Sequence, residues 1–145
     1  MPRTLVILLA VVLIESAAAS SVLAARSDVL TARPSTIDFH TRPVGSENYK
    51  RAKITNTSGL DVALLVEGGL PDDFGFGLLP GSTCPVLGCE TLAAGQSCLV
   101  VVRFSPTEFF GGWPQEGSLN ATAADPTTGV VFATLTIPVT GTGSL

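Results

Sequence analysis

An all-β sandwich is the fold class this sequence predicts, and three observations carry the prediction. Short runs of aliphatic and β-branched residues are separated throughout by Pro and Gly, of which the chain holds 10 and 15. Several runs alternate apolar and polar side chains with a period of two, the pattern of a strand that buries one face. Past residue 24 no stretch repeats its apolar residues at the spacing of an amphipathic helix. Many short strands at close spacing, with turn chemistry between them, mark a sandwich or a barrel.

The amino terminus is read apart from the fold. Met1-Pro2-Arg3 leave a positive charge at the start, an apolar run covers 5–14, and small residues follow over 16–21. That order predicts a secretory signal peptide over 1–24, cut after Ala24, with adjacent small residues offering neighbouring sites. The apolar run is shorter than the ~20 residues a membrane helix needs, and Glu15 ends it early, which argues against an uncleaved anchor. No cysteine precedes Cys84, so none stands near the cut to carry a lipid. The expected mature chain, 25–145, has the size of one domain.

Within it the elements follow in order. A first strand is expected over 29–32, stopped by Pro34. Ile37-Asp38-Phe39 reads in-out-in and ends at Arg42-Pro43-Val44-Gly45. Residues 48–56 place Ala52 and Ile54 on one face, with Lys50 sharing it near the strand end. Thr57-Ser58-Gly59 makes a turn. The nearly continuous apolar run 62–66 predicts a strand buried on both faces. Gly68-Gly69 and Pro71-Asp72-Asp73 break the chain, and 74–78 is a weak strand because of its glycines. Ala93-Ala94-Gly95-Gln96 turns into the strongest strand, 97–104, with Cys98, Val100, Val102 and Phe104 on one face. A long connection, 108–117, carries Phe109, Phe110 and Trp113. Residues 118–123 and 130–140 then pair as a hairpin around 125–129. The last strand directs Val131, Ala133, Leu135, Ile137 and Val139 to the core, and Pro138 predicts that its end is an edge or bulged. Seven or eight such strands suit an immunoglobulin-like sandwich.

Composition excludes several functions. The net charge is −4 with or without the leader, and the sequence shows no basic cluster, against nucleic-acid binding. Three cysteines and one distant histidine lack zinc-finger spacing, so neither a metal nor any other cofactor is expected. His40, the only histidine, follows Asp38 by two residues, yet no Ser or Cys nucleophile in a catalytic setting accompanies the pair, so no enzyme is expected. Export puts Cys84, Cys89 and Cys98 in a disulfide-permissive compartment, and an odd count implies one pair and one leftover thiol.

The residues also carry a family likeness. Arg33-Pro34-Ser35-Thr36-Ile37-Asp38-Phe39, then Val44-Gly45 and Ile54-Thr55-Asn56-Thr57, resemble the opening of the ASH (abnormal-spindle and hydin type) domain, whose bacterial versions are called choice-of-anchor D domains. Thr91-Leu92-Ala93-Ala94-Gly95-Gln96-Ser97-Cys98, followed by Val100 to Thr107, is similar to that family's turn, cysteine strand and Phe-x-Pro-Thr. Ile137-Pro138-Val139-Thr140-Gly141-Thr142-Gly143 resembles its glycine-rich close. The resemblance implies a major-sperm-protein-like immunoglobulin sandwich that serves as a non-catalytic interaction module. It also implies a disulfide to Cys98, with Cys84 the favoured partner and Cys89 the alternative. Such a bond closes a short loop and stabilises by roughly 3 kcal/mol in the chain-entropy picture. Two departures stand out: His40 occupies the position where the family commonly has glycine, and the connection after Pro106 is lengthened. Asn56-Thr57-Ser58 and Asn120-Ala121-Thr122 match the glycosylation pattern, but leader and family point to a bacterium, where the match is coincidental.

The functional expectation is an exported module, periplasmic or extracellular, that binds another protein through Phe109, Phe110 and Trp113 or through a strand edge. The alternative is a subunit of a self-assembling cell-surface structure. Against the binding role of the loop stands a structural one, in which Phe109 or Phe110 plugs the open end of the sandwich.

Overall fold

The computed structural model of the protein describes residues 29–77, 79–109 and 111–145. The expected leader, its cut after Ala24 and the side chain of Phe110 lie outside the described residues. Nine strands run in order: β1 (Leu30–Arg33), β2 (Ile37–Pro43), β3 (Asn48–Asn56), β4 (Val62–Gly69), β5 (Phe74–Gly75), β6 (Glu90–Leu92), β7 (Ser97–Phe104), β8 (Gln115–Ala124) and β9 (Val131–Ser144). They form a four-stranded sheet, β1-β3-β7-β5, and a five-stranded sheet, β2-β9-β8-β4-β6. Neighbours are antiparallel except β2 and β9, which run parallel. The chain therefore leaves β1 in one sheet and enters β2 in the other within a few residues, across a cis Arg33–Pro34 bond.

The core lies between the sheets and is built by alternation. Ala52 and Ile54 of β3, Cys98, Val100, Val102 and Phe104 of β7, and Leu119, Ala121 and Ala123 of β8 are buried, while most of their neighbours along each strand are half-buried or exposed; Val101 and Ala124 are the exceptions, buried as well. Three rings fill one end: Phe104 stacks on Phe74 with centroids 4.6 Å apart, and Phe39 tilts against both at 5.4 and 5.8 Å. Two glycines of β9 exist for this packing. A Cβ on Gly141 would stand 2.7 Å from the Phe104 ring, and one on Gly143 would stand 2.8 Å from the Glu108 carbonyl oxygen. The glycine-rich close of the sequence is thus a row of close approaches.

Four expectations need correction. The run 62–66 is not buried on both faces: Val62, Leu64 and Val66 are buried, but Ala63 and Leu65 are only half-buried on an uncovered outer face. β9 buries Ile137 and Val139 and packs the half-buried Ala133 and Leu135 against the core, whereas Val131, at its first position, is exposed. The end of β9 is not an edge. It runs between β2 and β8, and Pro138 stands one residue before β2 begins to pair at Val139. The open edge is the first half of the strand. β6 was not anticipated: three residues, two of them polar and exposed, are too few to show alternation.

The disulfide joins Cys84 to Cys98, and Cys89 is a free, exposed thiol. The bond fastens residues 82–84 along the side of β7 that the two-residue β5 leaves open. Leu99 accepts from the Thr83 and Cys84 amides, and the Leu99 and Val101 amides donate to Thr83 Oγ1 and Ser82 Oγ. Covering an edge in this way removes a template for unwanted pairing.

One departure from the family pattern and one sequon have local explanations. His40 has φ 56°, the left-handed region that favours glycine, at a register break in β2 between Asp38 and Thr41. The Asp38 carboxylate supports it, accepting the His40 amide at 2.7 Å. Asn56, the first sequon residue, is fully buried. Its Nδ2 donates to the Leu60 and Leu92 carbonyls, and its Oδ1 accepts from Ser58, so it is a structural tie that no glycosylating enzyme could reach.

Candidate functional site

The connection between β7 and β8, residues 105–114, is built in two parts. Its base is anchored by Asp73, a carboxylate only 8 % exposed. Asp73 Oδ1 accepts from the amide and hydroxyl of Thr107, Oδ2 accepts from Gln115 Nε2 at 2.7 Å, and its carbonyl accepts the Ser105 amide. A buried charge is tolerated where hydrogen bonds replace water, and here they come from both ends of the connection. The Pro106 carbonyl accepts the Gly45 amide, and Gly143 lets β9 pass close beneath Glu108. Nothing local points to this role: Asp73 sits in a Pro-Asp-Asp turn that reads as a chain break.

The tip is different. Gly111 and Gly112 adopt φ of 61° and 82°, which lets the chain reverse sharply. Trp113 follows them and is 76 % exposed, and Phe109 is 46 % exposed. Phe109 therefore does not plug the sandwich end, a place already filled by Phe39, Phe74 and Phe104. A large exposed aromatic on a braced base is the kind of side chain that anchors an interface.

Other features are weaker as sites. A polar cavity of about 310 Å3 beneath the loop is lined by Pro71, Asp72, Asp73, Thr107, Glu108 and Gln115. Among the described residues no group of three or more His, Cys, Asp or Glu is placed to hold a metal ion. His40 Nδ1 lies 2.9 Å from Asp38 Oδ2, both largely in solvent. The His40 amide, the Thr140 hydroxyl and the nearby charges of His40 and Lys50 hold the Asp38 carboxyl below the ordinary aspartate value. Its partners are a backbone amide, a threonine and the bulge it stabilises, and among them there is no activated nucleophile. The first half of β9 forms an open edge: β2 pairs only from Val139 onward, and Val130 and Val131 at its start are 62 % and 56 % exposed.

No family model and no curated protein matches the sequence. Solved structures do match the fold. The ASH/PapD-like domain 7 of human CEP192 superposes with a TM-score of 0.60 at 15 % identity, over 81 % of this chain and 87 % of that one. WR4, a major-sperm-protein family member of Caenorhabditis elegans, gives 0.54 at 13 %, over 78 % and 97 %. The Escherichia coli chaperone DraB gives 0.54 at 10 %, over 77 % of this chain and 53 % of its own. At these identities the likeness is one of fold: an immunoglobulin-like sandwich of the ASH, major-sperm-protein and PapD type.

Proposed function

We propose that this chain is an exported, non-catalytic module that binds another protein through the tip of the β7–β8 connection, with Trp113 as the central contact and Phe109 and Phe110 contributing. The observation that carries the reading is the 76 % exposure of Trp113 on a loop whose base is fixed by Asp73. Export is supported by the leader pattern of residues 1–24 and by a buried disulfide, which persists in oxidising compartments. Structures of similar fold include the chaperone DraB and the SafB chaperone in complex with the SafA pilin, which supports a protein partner here. The alternative route to such a partner is strand addition at the open edge of β9.

Trp113 is the only tryptophan, so its emission reports its own environment. Purified wild-type protein and Trp113→Ala are used as bait against extracts of the source cell's envelope. A partner held by the wild type and lost by the variant, and shifting the Trp113 emission to shorter wavelength when added back, supports the reading. A variant that keeps every partner overturns it.

A second reading is a subunit of a self-assembling cell-surface structure. It is supported by a separation of charge between the two outer faces of the sandwich.

A further inference from the structure

Folding adds to the local run Lys50-Arg51-Ala52-Lys53 and builds a basic strip on one face of the sandwich. Six cations lie among the described residues: Arg33, Arg42, Lys50, Arg51, Lys53 and Arg103. Ala52 and Ile54 of β3 face the core, so Arg51 and Lys53 face outward. Register places Arg33 directly beside Lys53, and Arg103 beside the outward Tyr49. Four of the six therefore share the outer face of the four-stranded sheet. Arg103 is met by Glu47 at 3.5 Å, while Arg33, Arg51 and Lys53 are exposed and make no ion pair among the described residues. Like charges directly opposite on neighbouring strands weaken a sheet, so the Arg33–Lys53 pair works against the isolated domain.

The opposite face carries the other sign. Leu119 and Ala121 of β8 and Ile137 and Val139 of β9 face the core, so Glu116, Asn120, Thr136 and Thr140 face outward. Asp38, Thr140 and Glu116 form a row across β2, β9 and β8, and Glu67 registers with Asn120. Arg42 registers with the buried Gly143 and so belongs to the core side. Among the described residues no lysine or arginine belongs to the outward positions of this face; at its β2 end the Lys50 ammonium donates to the Asp38 carbonyl and His40 Nδ1 pairs with the Asp38 carboxylate, which leaves Glu67 and Glu116 as its unpaired acids. The side chains between the carboxylates are mostly Ser, Thr and Asn, short enough for long cationic side chains to reach past them.

We infer that copies of this chain stack head to tail, the basic outer face of the β1-β3-β7-β5 sheet of one against the acidic outer face of the β2-β9-β8-β4-β6 sheet of the next. This deepens the second reading above and rests on it. The occupant of the basic strip is a second copy because the matching acidic surface is part of the same molecule. The two patches lie on opposite sides of the sandwich, so each contact leaves one patch of each sign free. That is a heterologous contact, which propagates into stacks instead of closing as a pair.

The test is sedimentation of the purified mature protein across concentration and ionic strength. At low salt the average mass rises with concentration. In about 0.5 M salt, where the Debye length falls to roughly 4 Å, it returns to that of a monomer. Arg51→Glu/Lys53→Glu and Glu67→Lys/Glu116→Lys each weaken low-salt association by about tenfold. Mixing the two variants restores it as a mixed species, which shows that neither simply misfolds. A monomer at every ionic strength overturns both this contact and the second reading. Association indifferent to salt and to the charge variants overturns this contact alone and leaves assembly to the β9 edge. Capture of poly-glutamate by a protein that does not self-associate assigns the strip to an acidic partner and also overturns it.

Discussion

Replacing Gly141 by alanine tests how the core fixes the strand order. Gly141 lies on β9 and faces inward, and the added Cβ would meet Phe104 Cε1 at 2.7 Å and Cδ1 and Cζ at 2.9 Å. Carbon atoms ordinarily approach to about 3.5–4.0 Å, so the overlap is roughly 1 Å with three ring atoms at once. The ring cannot retreat: Phe104 is fully buried and held between Phe74 and Phe39. Overpacking of this kind costs about 1–3 kcal/mol. Restricting the unfolded chain by replacing glycine returns roughly 0.5–1 kcal/mol. The expected net loss is about 1–2 kcal/mol, or on the order of 5–10 °C in melting temperature for a domain of this size. Urea unfolding of Gly141→Ala, Phe104→Leu and the double variant measures it. The double variant is more stable than the two single losses would sum to, by at least about 0.5 kcal/mol, because the smaller side chain makes room. A Gly141→Ala protein as stable as the wild type would refute the packing account.

Cys98→Ser costs about 3 kcal/mol, since the bond closes a 14-residue separation, and native thiol labelling finds one reactive group per chain, at Cys89; two or three reactive thiols would contradict the pairing. His40→Gly leaves the unfolding midpoint nearly unchanged, because relief of the left-handed backbone offsets the entropy of glycine, whereas His40→Val loses about 1 kcal/mol or more. Acid weakens the fold through Asp38 and Asp125, whose carboxyls are held low, Asp125 by the amides of Thr128 and Thr127. A carboxyl with a lowered folded value contributes stability above its unfolded value and loses it as pH falls through the folded one. Stability should therefore decline below about pH 4. Asp125→Asn keeps the turn and flattens that decline; an unchanged acid profile would count against it.

Strands with strict alternation were legible. β7 shows Cys98, Val100, Val102 and Phe104 inward as its sequence predicts, and β3 does the same with Ala52 and Ile54. Properties that depend on pairing were not. Whether Leu65 and Val131 are covered depends on what lies over them, and a period of two cannot report it. Pro138 marks a change of neighbour, which a single strand's sequence cannot distinguish from an edge. The tip of the candidate site was visible in Gly111, Gly112 and Trp113, because glycines and an aromatic in a connection are local signals. Its base was hidden, since Asp73 meets Thr107 and Gln115 from more than 30 residues away. The basic strip was hidden for the same reason: Arg33 and Lys53 come together only through the β1–β3 register.

The central claim is that the tip of the β7–β8 connection meets a protein partner, and a photo-crosslinking residue at position 113 tests it most directly. The same residue at 134, an exposed position on the acidic face, serves as the control. With the protein expressed in its own cell, irradiation should give a discrete adduct with another protein from position 113 and none of that mass from 134. No adduct at 113, or the same adducts from both positions, would contradict the account.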